Sequence, residues 1–148
     1  REYAQLRRCS PPTASRLLLS YAAEGLLRKQ WEKRYLLFFA DKQSRDFIDL
    51  SRMYWRQRLL HLTAILDKQL LNPTVILFGS LAKAETTPAS DIDLAVFAPK
   101  KEVSLDLFER KLRRNIQLFW FPSLSGVKPK ELATNIINGV VLNGRVIL

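Results

Sequence analysis

Cysteine and histidine are nearly missing: Cys9 and His61 are the only ones among 148 residues. A lone cysteine forms no internal disulfide, and one residue of each type falls short of the sets that hold structural zinc, so any metal here must be held by oxygen. Glycine (5) and proline (7) are too few for a flexible or low-complexity chain, and with 47% apolar residues the composition is that of a globular protein with a core. Long hydrophobic runs are missing as well. No segment approaches the roughly 20 apolar residues of a membrane span, and none has the layout of a secretory signal, so no membrane partner and a soluble, cytoplasmic protein are expected. The chain opens on Arg1 rather than Met, and a few preceding residues, a helix among them, are expected.

Acidic residues are scarce, 14 against 24 basic, for a net charge of +10. Residues 1–70 carry 14 Lys/Arg and 7 Asp/Glu, and residues 71–148 carry 10 and 7. The positive field is concentrated in the first half, which favours a polyanionic partner there, although a solvated face would carry the same charge.

Glu2 to Cys9 reads as a short helix, and Ser10-Pro11-Pro12-Thr13 as the turn into a second, since Pro suits a first helical turn. Ala14, Leu18 and Tyr21 recur at helical spacing as one core face until Gly25 stops the helix. Leu26–Gln30 and Tyr35–Phe39 are β-type runs flanking Trp31-Glu32-Lys33-Arg34, a basic hairpin tip. From Ser44 to Leu71 there is no Gly or Pro. Phe47, Leu50, Tyr54, Leu62 and Leu66 keep a helical spacing there, among Arg52, Arg56 and Arg58, which predicts one long connecting helix broken by Asn72-Pro73. The period then changes: Val75–Phe78, Asp91–Phe97 and Asn115–Phe121 read as strands, with a helix over Glu102–Arg113. Helix-containing connections between strands predict an α/β or α+β domain. Lys130–Ile137 reads as a final helix and Arg145–Leu148 as a last strand or tail.

Within that domain Gly79-Ser80 stands where a strand meets a helix, a place where backbone N–H groups approach a phosphate closely. Asp91 and Asp93, two apart in a strand, point to one face, while Ile92, Leu94 and Val96 point into the core. Paired carboxylates repel at neutral pH, so such a pair calls for a divalent cation, and Mg²⁺ suits one or two carboxylates plus substrate phosphates.

Phe78-Gly79-Ser80, ten residues, then Asp91-Ile92-Asp93-Leu94 resembles the signature of the minimal nucleotidyltransferases of the polymerase beta superfamily, and Ile136–Gly144 is similar to that family's closing segment. The resemblance covers residues 73–148. It implies a mixed sheet with flanking helices, a nucleoside triphosphate held by Gly79, Ser80 and Lys83, Mg²⁺ on Asp91 and Asp93, and transfer of a nucleoside monophosphate to an acceptor. A HEPN-type protein partner is a further implication. The sequence departs from the pattern at Leu81, Lys83 and Ala84, where the family carries Arg and a basic-Gly pair. It departs again at Gln117, where the family has a third carboxylate. Two-metal transfer leans on that acid, so weak or absent catalysis is expected unless Glu85 or Glu109 substitutes.

Residues 1–40 resemble a winged helix-turn-helix with its first helix trimmed. The resemblance implies Thr13, Ser15, Arg16 and Ser20, all exposed, against DNA, with Arg28, Lys29, Lys33 and Arg34 on the phosphate backbone and Trp31 on sugar. The same module also serves protein contacts and dimerisation. The expected organisation is thus 1–43 winged helix, 44–72 connecting helix and 73–148 nucleotidyltransferase domain, as a homodimer. An enzyme is one reading; a DNA-binding regulator that uses the second domain as sensor or scaffold is the other, and Gln117 separates them. His61 is assigned no role, Cys9 reads as a small buried filler, and Trp55, Phe119, Trp120 and Phe121 as core or interface aromatics. Lys111, Arg113 and Arg114 read either as lining of the nucleotide groove or as a solvated face, with the solvated face favoured.

Overall fold

A computed structural model describes residues 1–146. The chain divides into two compact units, Arg1–Asp49 and Leu50–Leu148.

In the first unit α1 (Glu2–Arg7) precedes α2 (Pro11–Ala23). Ser10 caps α2, its hydroxyl accepting the Thr13 N–H at 3.4 Å, with Pro at the first helical positions. Gly25, at φ +75°, ends it: Leu26 N–H reaches Tyr21 O and Gly25 N–H reaches Ala22 O, the paired bonds of a left-handed helix stop. Of the expected core face Ala14 is buried and Leu18 half-buried, but Tyr21 is exposed, because it sits in the last turn where the chain leaves the helix. Strands β1 (Leu27–Glu32) and β2 (Tyr35–Ala40) form an antiparallel hairpin. Its tip is Lys33-Arg34 alone, for Trp31 pairs with Leu36 inside the ladder and is 70% exposed rather than a tip residue.

The long helix, α3, runs Arg45–Leu70. Its buried residues are Trp55, Leu59, Leu62, Thr63 and Leu66, a stripe at helical spacing. The expected Leu50 and Tyr54 are exposed instead. Leu71 and Asn72 both turn left-handed and Pro73 follows, so the helix cannot continue.

The second unit holds a four-stranded sheet in the order β5-β4-β3-β6. Here β3 is Thr74–Phe78, β4 Ile92–Phe97, β5 Ile116–Phe121 and β6 Val140–Asn143. β3 pairs antiparallel with β4 and β6, and β4 pairs parallel with β5, so the sheet is mixed. A one-turn helix, α4 (Gly79–Ala82), leaves β3; α5 (Asp106–Leu112) lies between β4 and β5, and α6 (Lys130–Ile137) precedes β6. α5 is shorter than the expected 102–113. The final strand is Val140–Asn143 rather than 145–148, and residues 147 and 148 of the expected one lie outside the described residues.

Both faces of this sheet are covered. Val75, Leu77, Ile92 and Leu94 pack with the α3 stripe on one face, while Ile76, Phe78 and Ala95 pack with Val127 and Ile136 on the other. The face carrying the two aspartates is therefore solvent-facing only at its start; Ala95, two residues on, is fully buried. Gly139 lets β6 reach β3: a Cβ there would collide with Leu77 O and meet Ile76 Cγ2 at 2.8 Å.

Candidate active site

Strand pairing assembles the site from three chain segments. Phe78, the residue before Gly79, lies opposite Asp93 across the β3–β4 ladder, and Asp93 lies opposite Gln117 across the parallel β4–β5 pair. Gly79 adopts φ +73°, a conformation suited to glycine, and a Cβ on it would collide with the Asp93 carboxylate. The absent side chain is thus what lets the acid pack against the turn.

Asp91 sits one residue before β4, not inside it. Its Oδ2 accepts from Gln117 Nε2 at 2.7 Å and its Oδ1 from Asn115 Nδ2 at 3.3 Å. Asp93 accepts no hydrogen bond among the described residues, and its carboxyl is held above the usual carboxylate range by burial first and by the Asp91 charge second. One carboxylate is thus satisfied by amides, while the other stands unpartnered beside it.

Arg114 fixes the approach to Asp91. Its guanidinium donates to the carbonyls of Thr87, at 2.9 Å, and of Ser90, and it lies 5.4 Å over the Trp55 ring. Ser90 Oγ accepts the Thr87 N–H at 2.9 Å, closing the turn from within. Arg114 is therefore a half-buried clamp and not part of a solvated face, whereas Lys111 and Arg113 are exposed as read from the sequence. Asn115 carries no site signal beyond adjacency to Gln117, and Arg114 stands in the sequence only as one of a basic cluster read as groove lining or solvated face.

Ser80 is half-buried in the first turn of α4, and Lys83 is exposed at its end. Glu85 and Glu109 do not replace the missing acid: among the described residues no group of three or more His, Cys, Asp or Glu comes together. Glu109 instead accepts the Ile116 N–H at 2.8 Å, holding the start of β5.

In the first unit, Ser15, Arg16, Lys29, Lys33 and Arg34 are exposed. Thr13, expected to be exposed, is half-buried, and its hydroxyl sits 2.9 Å from Ser10 Oγ because it belongs to the helix cap. Ser20 Oγ donates to Leu17 O at 3.0 Å, and Arg28 Nε lies 3.7 Å from Asp41 Oδ1, so these two side chains are already partly engaged. No described helix is long and apolar enough to cross a membrane.

The family model described as "Polymerase beta, Nucleotidyltransferase" matches residues 61–147. No curated protein matches the chain. That match takes in the whole sheet, the Gly79 turn and both aspartates, so the chain belongs to the polymerase beta nucleotidyltransferase family.

Proposed function

We propose that the second unit binds a nucleoside triphosphate with one Mg²⁺ on Asp91 and Asp93 and transfers its nucleoside monophosphate slowly to an acceptor hydroxyl. The observation that carries this is the unpartnered Asp93 carboxylate, packed on a side-chain-free turn and facing a second acid. A pair of hard oxygen donors with surplus negative charge fits a single Mg²⁺, which would neutralise phosphate charge and polarise the reacting phosphorus. The chain's own residues do the positioning. Gly79 lets the Asp93 carboxylate lie against the turn, Ser80 offers a hydroxyl to phosphate oxygens, and Lys83 brings a cation. Gln117 and Asn115 orient Asp91 through its two oxygens. In the transfer the acceptor oxygen bonds to the α-phosphorus, the α–β bridging bond breaks, pyrophosphate leaves, and the hydroxyl proton passes to water.

Gln117 supports the slow rate, since an amide supplies no negative charge where a second ion would sit. The same residue favours a second reading, in which nucleotide is bound as a signal and not consumed. The first unit fits a winged-helix module that docks Arg16 and the hairpin cations on DNA, placing either activity at a nucleic acid. Incubation with labelled ATP and Mg²⁺ tests the pair of readings. Transfer that disappears in Asp93→Asn and rises in Gln117→Asp supports the enzyme. ATP binding with no transfer, even in Gln117→Asp, supports the sensor.

A further inference from the structure

Beside Asp91 a cleft of about 380 Å³ opens between the 88–91 segment and the end of α5, with Asp91, Asn115, Glu109, Arg110, Arg113 and Arg114 in its walls. Two of these charges are already committed. Glu109 holds the Ile116 N–H, and Arg114 holds the carbonyls of Thr87 and Ser90. Arg110 and Arg113 are exposed, and among the described residues neither has a carboxylate within ion-pair distance. Arg110 makes one bond, Nε to Asp106 O at 3.3 Å, which leaves its terminal nitrogens free to donate. Arg113 ends α5 at φ 53°, a left-handed conformation that a non-glycine residue rarely adopts. No large apolar side chain lines the cleft, so an apolar or aromatic acceptor has nothing to pack on.

We infer that this cleft anchors a phosphate carried by the acceptor, with Arg110 and Arg113 as its cationic wall, so that the neighbouring hydroxyl is delivered beside Asp91. Guanidinium groups suit this because their forked donors match phosphate oxygens. The inference rests on the nucleotidyl-transfer reading for its purpose, but the recognition it describes is binding alone. A phosphate next to a hydroxyl has two sources, the end of a nucleic-acid strand or a small phosphorylated alcohol.

Photo-crosslinking of the full chain tests it, using a short single strand with 4-thiouridine at its 3′ terminus, in the presence of Mg²⁺ and a non-hydrolysable ATP analogue. Crosslink position reads where the strand end sits, whatever the first unit binds. The variant is Arg110→Ala with Arg113→Gly, the glycine chosen because it suits the left-handed φ and keeps the helix end intact. For a strand acceptor, the crosslink maps to residues 109–115 and falls about tenfold or more in the variant, the loss of charge-assisted hydrogen bonds. If the source is small, glycerol 3-phosphate binds the wild type by calorimetry and not the variant, with no strand crosslink at 109–115. Insensitivity of both probes to the variant overturns the inference, as does an equal loss in Lys111→Ala, which would reduce the effect to overall charge. Binding of the ATP analogue is measured in parallel: its absence from the wild type overturns the nucleotide reading and leaves an arginine-dependent phosphate cleft standing.

Discussion

Asp93 is an acid kept where its charge is costly. Burial and the neighbouring Asp91 raise its carboxyl above the ordinary 3.8, so the folded protein binds this proton more tightly than the unfolded chain does. The stability it contributes is complete below that ordinary value and is lost as pH rises through the folded-state value. Asp93→Asn therefore should melt higher than wild type at neutral pH, with the gap closing as pH falls toward 3.8, a comparison that thermal melts across pH decide. Added Mg²⁺ should raise the wild-type melting temperature and leave the variant unmoved. At this scale much was legible from sequence. Gly79, Asp91 and Asp93 stand out in the sequence because their signal is local spacing. Gln117 stands out too, but the hydrogen bonds that it and Asn115 make to Asp91 do not, because they depend on the β4–β5 register, which no local pattern specifies.

Among the elements, the loop before β4 depends on a side chain from beyond α5. Arg114→Ala should cost about 2 kcal/mol, from charge-assisted bonds to the half-buried Ser90 carbonyl and the exposed Thr87 carbonyl. Hydrogen exchange should then quicken at the Thr87 and Ser90 amides while β3 stays protected; uniform loss across the sheet would mean that Arg114 serves general packing instead. At the other edge, Gly139→Ala drives a methyl into the Leu77 carbonyl and sits 2.9 Å from Ile136 O, contacts with backbone that cannot swing away. Its cost should be about 2 kcal/mol or more by denaturant melt, concentrated in release of β6. Element identity was readable where hydrophobic period was unambiguous, as in β3, α6 and the extent of α3. On α3, Leu62 and Leu66 are buried as the spacing suggests, while Leu50 and Tyr54 are not, for a physical reason. Leu50, Met53, Tyr54 and Leu60 form an apolar set besides the Trp55–Leu66 stripe, and only the sheet beneath decides which of them is covered. The helix start at Gly79-Ser80 is legible from the strand-to-helix junction, but the length of α4 is not, because a single turn has no period to read.

For the whole molecule, a charge of +10 with 14 of 24 cations in residues 1–70 sets expectations for association rather than for fold. If the first unit docks on DNA as proposed, log affinity should fall linearly with log salt, and Arg16→Ala should reduce the slope by about 1 in fluorescence anisotropy titrations. A slope indifferent to Arg16 would move the contact elsewhere. The family match at residues 61–147 covers the turn and aspartates that stand out in the sequence, whereas the role of residues 1–43 has no motif of comparable specificity behind it. The Arg114–Trp55 stack also supplies an optical consequence. An indole beneath a guanidinium changes its emission when that cation moves, and the cation is bonded to the carbonyl just ahead of Asp91. With Trp31 and Trp120 replaced by Phe, the remaining fluorophore is a built-in gauge of the segment that aims the first aspartate, readable in real time as ligands arrive.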